Sequence, residues 1–367
     1  MNISKSIKKE FLFDKRQTNI AKGIAILLLL WHHLFFINPE AYDLFSSFFI
    51  IKGIPIESLI STIFKVCVAV FLFLSGYGLY ISYNSFTKKV INSKNKYNIK
   101  YDFIFIKNHL LKLMSNYWII YIIFVGMGFF LNRNPIEIYN HHFVYFLIDL
   151  LGLANIFQTP TMNTTWWFMS LIIVLYIIYP LIHKIINWSP ECLLLVSFFI
   201  TIFYFLPDIT CIRIYFFPFV FGMYLSKSKL LNKLAHQLDN IIKIIIVCVF
   251  SLLITLFMKI TIFFKSSEID GFLSLSIIFI SFFIISRIPI ISKLLEILGK
   301  HSGAMFMFHT FIFTYYFKDF FYSFDNPLLI FLVTVIICLM ISIMVSFIKR
   351  ITCYDKLINY LTQTKIW

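Results

Sequence analysis

His33 stands inside an apolar stretch near the start of the chain, Asn19-Ile20-Ala21-Lys22-Gly23-Ile24-Ala25-Ile26-Leu27-Leu28-Leu29-Leu30-Trp31-His32-His33. A titratable side chain at bilayer depth costs on the order of a few kcal/mol, so an imidazole kept there is a functional candidate by default. Lys22 precedes His33 by eleven positions. At about 100° and about 1.5 Å per residue the two project from one helix face, about 16 Å apart along the axis. With Lys22 at one membrane surface, His33 falls near the midplane of a core about 30 Å thick. A neutral imidazole there suits a general base taking a hydroxyl proton, or a nucleophile holding a transferred group. The plainer alternative is a histidine hydrogen-bonded to a neighbouring helix. His32 is turned about 100° from His33 and reads as a packing or supporting residue.

His309, in Ser302-Gly303-Ala304-Met305-Phe306-Met307-Phe308-His309, is a second intramembrane imidazole and a second catalytic candidate. No Asp or Glu falls deep within an apolar run, which argues against a buried Ser/His/Asp triad, a carboxylate proton wire and a carboxylate-bridged metal. Partners of His33 must then be neutral. Ser75 and Tyr77, in Phe71-Leu72-Phe73-Leu74-Ser75-Gly76-Tyr77-Gly78, offer hydroxyls, while Gly76 and Gly78 let backbones approach or simply pack. Asn163-Thr164-Thr165-Trp166-Trp167-Phe168 opens a span from the outside; its Trp pair is either an interfacial anchor or a sugar-facing platform. Glu137 and His141 at i and i+4, with His142 beside them, lack a third ligand, and no metal is expected.

These residues need membrane helices to position them. Of 367 residues 60% are hydrophobic and 13% charged, the composition of an integral membrane protein. The 46 Phe residues exceed what any site needs and serve as lipid-facing filler. Apolar runs at about 20–37, 58–83, 113–131, 165–183, 191–206, 211–226, 241–260, 271–287, 303–318 and 327–348 predict an all-α, polytopic fold of about ten transmembrane helices. With both termini cytoplasmic, 25 of the 32 basic residues lie inside, so the net charge of +15 reflects topology and not nucleic acid. The first run follows a basic leader without a small-residue cleavage site and reads as an uncleaved span. Residues 143–157 are apolar but short and contain Asp149; they are expected to form a re-entrant or interfacial helix on the outer face. The basic loop from about 84 to 112 anchors the topology and offers an anion-binding surface. Six scattered cysteines read as small core residues. One transmembrane domain over 1–350 is followed by a short basic cytoplasmic tail, 351–367.

Taken in order, these motifs resemble the acyltransferase 3 family of integral membrane proteins, whose members O-acylate bacterial surface glycans. The likeness spans about residues 10–348. Lys22 and His33 match the family's basic residue, ten intervening positions and histidine, which implies that His33 is catalytic. Phe73-Leu74-Ser75-Gly76-Tyr77 is similar to the second-span motif, Trp167-Phe168 to the fourth, and Gly299-Lys300-His301-Ser302 through His309 to the late one. The family's arginine pair before the third span is replaced here, with Lys107, His109 and Lys112 preceding Asn116-Tyr117-Trp118. Lys and His lack the bidentate guanidinium fork. The family's extracytoplasmic hydrolase-like extension is not expected in this chain.

The resemblance implies an acyl-CoA-dependent O-acyltransferase of the bacterial plasma membrane. Its donor is expected to be acetyl-CoA and its acceptor a carbohydrate hydroxyl, with membrane lipids as surroundings. Expected roles are catalysis for His33, His309 and Ser75, donor binding for Lys22, Lys107, His109 and Lys112, and acceptor binding for Trp166, Trp167, Tyr77 and Asn163. A transporter moving an unmodified glycan or metabolite is the rival reading, weakened by the lack of deep carboxylates for ion coupling; an inactive assembly protein is a third.

Overall fold

The computed structural model describes residues 13–36, 39–92, 98–203, 211–237, 240–261 and 267–362. Their architecture is all-α apart from one short hairpin, in which Ile50–Ile51 pairs antiparallel with Ile54–Pro55 around Lys52-Gly53, both at positive φ. Every apolar run falls largely on a helix where it is described, and among the described residues six helices are long and apolar enough to cross a membrane.

The chain begins with α1 (Lys15–Leu34), whose first turn is closed by Asp14 accepting from the Arg16 and Gln17 amides. α2 (Ile56–Phe64) and α3 (Cys67–Asn92) follow, then α4 (Ile99–Gly128), capped by Asn98. The stretch expected as a loop from 84 to 112 is therefore helical over most of its length. Its helices are joined by a buried hydrogen bond from the Tyr83 hydroxyl to Asp102, a tie that hydropathy does not report.

Next come α5 (Pro135–Ile138), α6 (Phe143–Leu150) and α7 (Ala154–Phe157). The 143–157 segment is broken at Gly152, which adopts φ +71°, and at about 1.5 Å per residue neither piece crosses a bilayer. α8 (Trp167–Trp188), α9 (Pro190–Ile202), α10 (Ile212–Ser228), α11 (Leu230–Gln237), α12 (Ile241–Thr261) and α13 (Asp270–Phe283) lead to α14 (Pro289–Thr310). A π-helical turn, Phe311–Tyr316, separates α14 from α15 (Lys318–Tyr322), and α16 (Pro327–Ile351) is followed by α17 (Tyr354–Thr362). The expected tail is thus helical over Tyr354–Thr362 and packs on α4.

Two parallel helix pairs form the middle of the bundle. A Cβ on Gly23 of α1 would lie 2.1 Å from the Leu295 carbonyl oxygen of α14, and one on Gly299 would lie 1.8 Å from that of Asn19. Gly76 of α3 and Gly222 of α10 make the same reciprocal approach, to the carbonyls of Phe219 and Phe73. Only glycine permits such backbone contact, the small-residue packing typical of membrane helices. The expectation for Gly76 holds, whereas Gly78 faces open space. α12 and α16 instead turn exposed Ile, Leu, Met and Phe outward, as lipid-facing helices do. Neither α1 nor α14 is among these six; α1 is largely enclosed by protein, whereas α14 is buried over Met305–Thr310 and exposes Lys293 and Lys300 in its first half.

Candidate active site

α1 ends at Leu34, so His33 occupies its last turn and not the middle of a helix as the run 20–37 predicts. Asp14 capping starts the helix five residues earlier than hydropathy alone does. His309 is the penultimate residue of α14, just before the helix widens into the π turn. The parallel register of α1 and α14 brings the two imidazoles together, ring centroids 4.9 Å apart and planes inclined by 49°.

The surroundings fix their roles unequally. His309 is fully buried, and its Nδ1 lies 2.8 Å from the Phe306 carbonyl. A carbonyl only accepts, so Nδ1 carries the proton and Nε2 presents a lone pair. That Nε2 is buried and has no hydrogen-bond partner. His32 is tied differently, Nδ1 donating to the Ser61 carbonyl of α2 at 2.7 Å, and it supports His33 from a ring centroid 4.9 Å away. His33 is half-buried and lines a cavity of about 300 Å³ with Thr164, Thr165, Thr310, Tyr315, Lys318 and Tyr322.

A second cavity of about 510 Å³ lies on the other side of the histidines, lined by Lys15, Asn19, Lys22, Ser75, Lys300 and Ser302, with Phe168, Phe306 and Met307 as walls. Along α14, Phe306 and Met307 line this basic cavity and Thr310 lines the other, so His309 stands at the divide. A smaller recess of about 200 Å³ joins Lys22 and Ser75 to His109 and Tyr176. Lys22 makes no ion pair among the described residues, whereas Lys300 is held by Glu296 at 2.7 Å. A half-buried ammonium without a carboxylate partner is a ready anion site.

The expected residues divide accordingly. Lys22 and His109 share a recess, but Lys107 and Lys112 are exposed on α4 and line neither cavity, because the helical start of α4 turns them outward. Ser75 joins Lys22 and shares neither cavity nor hydrogen bond with His33 among the described residues, since the α3 register places it at the basic end. Tyr77, two positions on, is buried edge-on against Phe13 at 5.0 Å and lines no cavity described here.

Trp166 is only 3% exposed and is no interfacial anchor. Its Nε1 donates to the Met307 carbonyl at 2.8 Å, and Asn163 Nδ2 reaches the same oxygen at 3.4 Å. At the approach to the π turn the Phe311 N–H goes to Phe308 and His309 instead of Met307, and the side chains from the 163–166 corner serve the Met307 carbonyl. Both residues therefore position the helix that carries His309. Asn163 also caps its own turn by accepting from the Thr165 amide at 3.0 Å. Trp167 stacks on Tyr215 at 5.6 Å and, with Trp166 and Asp149, lines a polar recess of about 160 Å³.

Carboxylates are more deeply placed than the runs imply. Asp270, one residue outside its run, is fully buried and pairs with Lys259. Asp149 is 1% exposed and accepts from Tyr139 at 2.7 Å, Thr161 at 2.8 Å and the Met162 amide at 2.9 Å. Burial nonetheless raises its pKa from 3.8 to about 6, against the pull of those donors and of Arg133. No hydrogen bond or ion pair links a carboxylate to His33 or His309 among the described residues. Glu137 ends up on α5, but Asn140 and His141 adopt positive φ and break the helix that an i, i+4 ligand pair requires.

Lys15, Lys300, Thr310 and Lys318 were not singled out by residue type. Lys300 had a signal in its place beside Gly299; Thr310 had only its adjacency to His309.

These features define an α-helical membrane bundle with an imidazole pair set between two cavities. Residues 17–348 match the family model described as an acyltransferase domain, and the chain belongs to the acyltransferase 3 family. It is therefore an acyltransferase in the general sense. Neither curated proteins nor solved structures gave a match.

Proposed function

We propose that the protein transfers an acyl group, acetyl in the simplest case, from a cytosolic acyl-CoA to a hydroxyl of a cell-surface or lipid-linked carbohydrate. The observation that carries this reading is the His33–His309 pair at 4.9 Å, with a lysine-bearing cavity on one side and a hydroxyl-lined cavity on the other.

Lys22, supported by Lys15, Lys300 and His109, holds the donor's phosphates, and the long pantetheine arm covers the roughly 16 Å to His33. The acceptor hydroxyl enters from the Thr310 side. In one route His33 takes the hydroxyl proton, the oxygen attacks the thioester carbonyl, the C–S bond breaks and the proton leaves on the thiol. In the other the His33 nitrogen forms the C–N bond as C–S breaks and the thiolate leaves; the acceptor oxygen then forms the C–O ester bond as C–N breaks, and the hydroxyl proton passes to the thiolate. His309 Nε2 steadies the protonated or acylated partner in either route. The orientation goes with the reading: a single domain in a bacterial plasma membrane, ten spans, both termini cytoplasmic, 143–157 on the outer face.

Membranes given isotope-labelled acetyl-CoA and a surface-glycan fraction test it. Label should enter glycan with the wild type, and His33→Ala should reduce the rate by about 10²–10⁴-fold, the usual worth of a positioned base. Equal labelling by both would remove His33 from the mechanism. No labelling from any acyl donor, together with flux of an unmodified substrate, would establish the transporter instead.

A further inference from the structure

Under the orientation above, seven of the 32 basic residues fall on the outer side. Positive charge is selected against there, so each one kept needs a reason. Arg213 and Lys259 have one: they are buried beside Glu268, at 3.7 Å, and Asp270. Two more stand at the His33 cavity. Lys318 lines it, and Arg133 lies behind Tyr315, another lining residue, with its guanidinium carbon 3.9 Å from the ring centroid.

The charge is one-sided. No Asp or Glu lines this cavity, and neither Lys318 nor Arg133 is within ion-pair distance of a carboxylate among the described residues, although Arg133 also acts electrostatically on Asp149. Asp319, next to Lys318 on α15, is exposed and does not line the cavity; Asp325 accepts from Ser46 at 2.6 Å. Arg133 spends its Nε on the Met162 carbonyl at 2.8 Å, which fixes the guanidinium over Tyr315, and its terminal nitrogens make no hydrogen bond among the described residues. Deeper in, Thr310 Oγ1 is buried without a hydrogen-bond partner, and the Tyr315 hydroxyl lies 3.1 Å from Thr164 Oγ1. The cavity thus presents one lining ammonium, Lys318, with Arg133 behind its Tyr315 wall, and hydroxyls suited to a polyol.

We propose that the acceptor carries an anionic substituent, a carboxylate or a phosphate, which Lys318 holds in the cavity, with the Arg133 charge behind Tyr315 adding to the attraction, while a neighbouring hydroxyl reaches His33. This rests on the acyl-transfer reading and narrows its acceptor class to acidic saccharides. The cations set the register: an anion held at Lys318 leaves only hydroxyls at a fixed distance from it in reach of His33.

Full-length protein in nanodiscs of zwitterionic lipid tests the subsite with three probes: a neutral disaccharide, a disaccharide containing a uronic acid, and a sugar 1-phosphate. Binding by the wild type should favour the acidic probes by about tenfold, and the preference should shrink as salt shortens the screening length to a few Å. Lys318 is exposed on a short helix, so Lys318→Gln and Lys318→Glu keep the fold; the first should reduce the preference and the second abolish it. A tighter sugar phosphate identifies a phosphate-bearing acceptor, and a tighter uronic acid a carboxylate-bearing one. Equal binding of neutral and acidic probes, or a preference that survives Lys318→Glu, overturns the subsite. Transfer measured on the same samples separates the two readings. Acidic preference in binding with no acyl transfer to any probe sinks the acyl-transfer reading, whereas equal transfer to all three leaves that reading intact and sinks this one.

Discussion

His33 and His309 face each other at 4.9 Å, and each lies ten residues beyond a glycine, Gly23 or Gly299, at which its helix touches the other backbone to backbone. Ten residues are about 15 Å of helix, so the spacing of the imidazoles is set at a distance by how closely the two backbones approach. The glycines and the histidines are one device.

Gly299→Ala should therefore damage a site it does not touch. Its methyl would lie 1.8 Å from the Asn19 carbonyl oxygen, backbone that cannot swing aside, and the helices must part. A loss of about 1–3 kcal/mol, as for overpacked cores, is expected, with transfer falling further than the unfolded fraction explains. Gly126→Ala, whose methyl meets nothing within 4 Å, should stay within about 0.5 kcal/mol of the wild type. Thermal unfolding in detergent beside acyl-transfer rates decides it; an active, stable Gly299→Ala protein would uncouple glycine contact from imidazole spacing.

Trp166→Phe keeps an aromatic ring, though a smaller one, and removes the donor to the Met307 carbonyl. Leaving that buried oxygen with only the long Asn163 contact should cost about 1–3 kcal/mol. Trp166 acts through α14 and not on substrate, so kcat should fall while KM for either substrate stays within about twofold. A selective rise in the acceptor KM would instead make Trp166 a sugar platform.

How far the sequence carried depended on whether a residue's role lay in its own helix. The Lys22–His33 spacing is a property of one helix, and phase alone puts both on one face; His309 declares itself by being an imidazole in an apolar run. Ser75 and Tyr77 show the limit. They are two positions apart in one motif, and only the register of α3 against α10 decides that Ser75 meets Lys22 while Tyr77 is buried on Phe13. A Trp pair at a span's start normally anchors to the interface, and nothing local announces a π turn 145 residues later with a carbonyl for Trp166 to hold. Asp149 was visible as an anomaly, but its partners Tyr139 and Thr161 come from separate turns of the outer segment.

Asp149 gives that outer segment a pH dependence of definite sign. A carboxyl whose pKa rises from 3.8 to about 6 on folding binds its proton more tightly in the folded state. Stability is then greatest below the unfolded value, declines as pH climbs from about 4 to about 6, and is level above. Hydrogen exchange across residues 139–166, corrected for the intrinsic rate, should show protection falling over that window. Asp149→Asn should remove the slope. Wild-type protection that is flat from pH 4 to 8 would mean that Tyr139, Thr161 and the Met162 amide fully offset burial.

Lys22 and the α4 lysines offer rival sites for the donor's phosphates, and the structure separates them by exposure. Lys22 is half-buried in the basic cavity without a carboxylate partner, whereas Lys107 and Lys112 stand on the outside of α4. A charge-assisted hydrogen bond to phosphate is worth about 1.5–3 kcal/mol, so Lys22→Gln should raise the KM for acyl-CoA by about tenfold or more. Its kcat should change little, because Lys22 is about 16 Å along the helix from the reacting carbonyl at His33. Lys107→Gln and Lys112→Gln should stay within about twofold, as screened surface charges do. Steady-state kinetics at two ionic strengths distinguish the cases: with Lys22→Gln the salt dependence of KM should flatten, and with the α4 variants it should remain. Should the α4 variants raise KM while Lys22→Gln does not, the donor enters along α4 and the basic cavity serves another purpose.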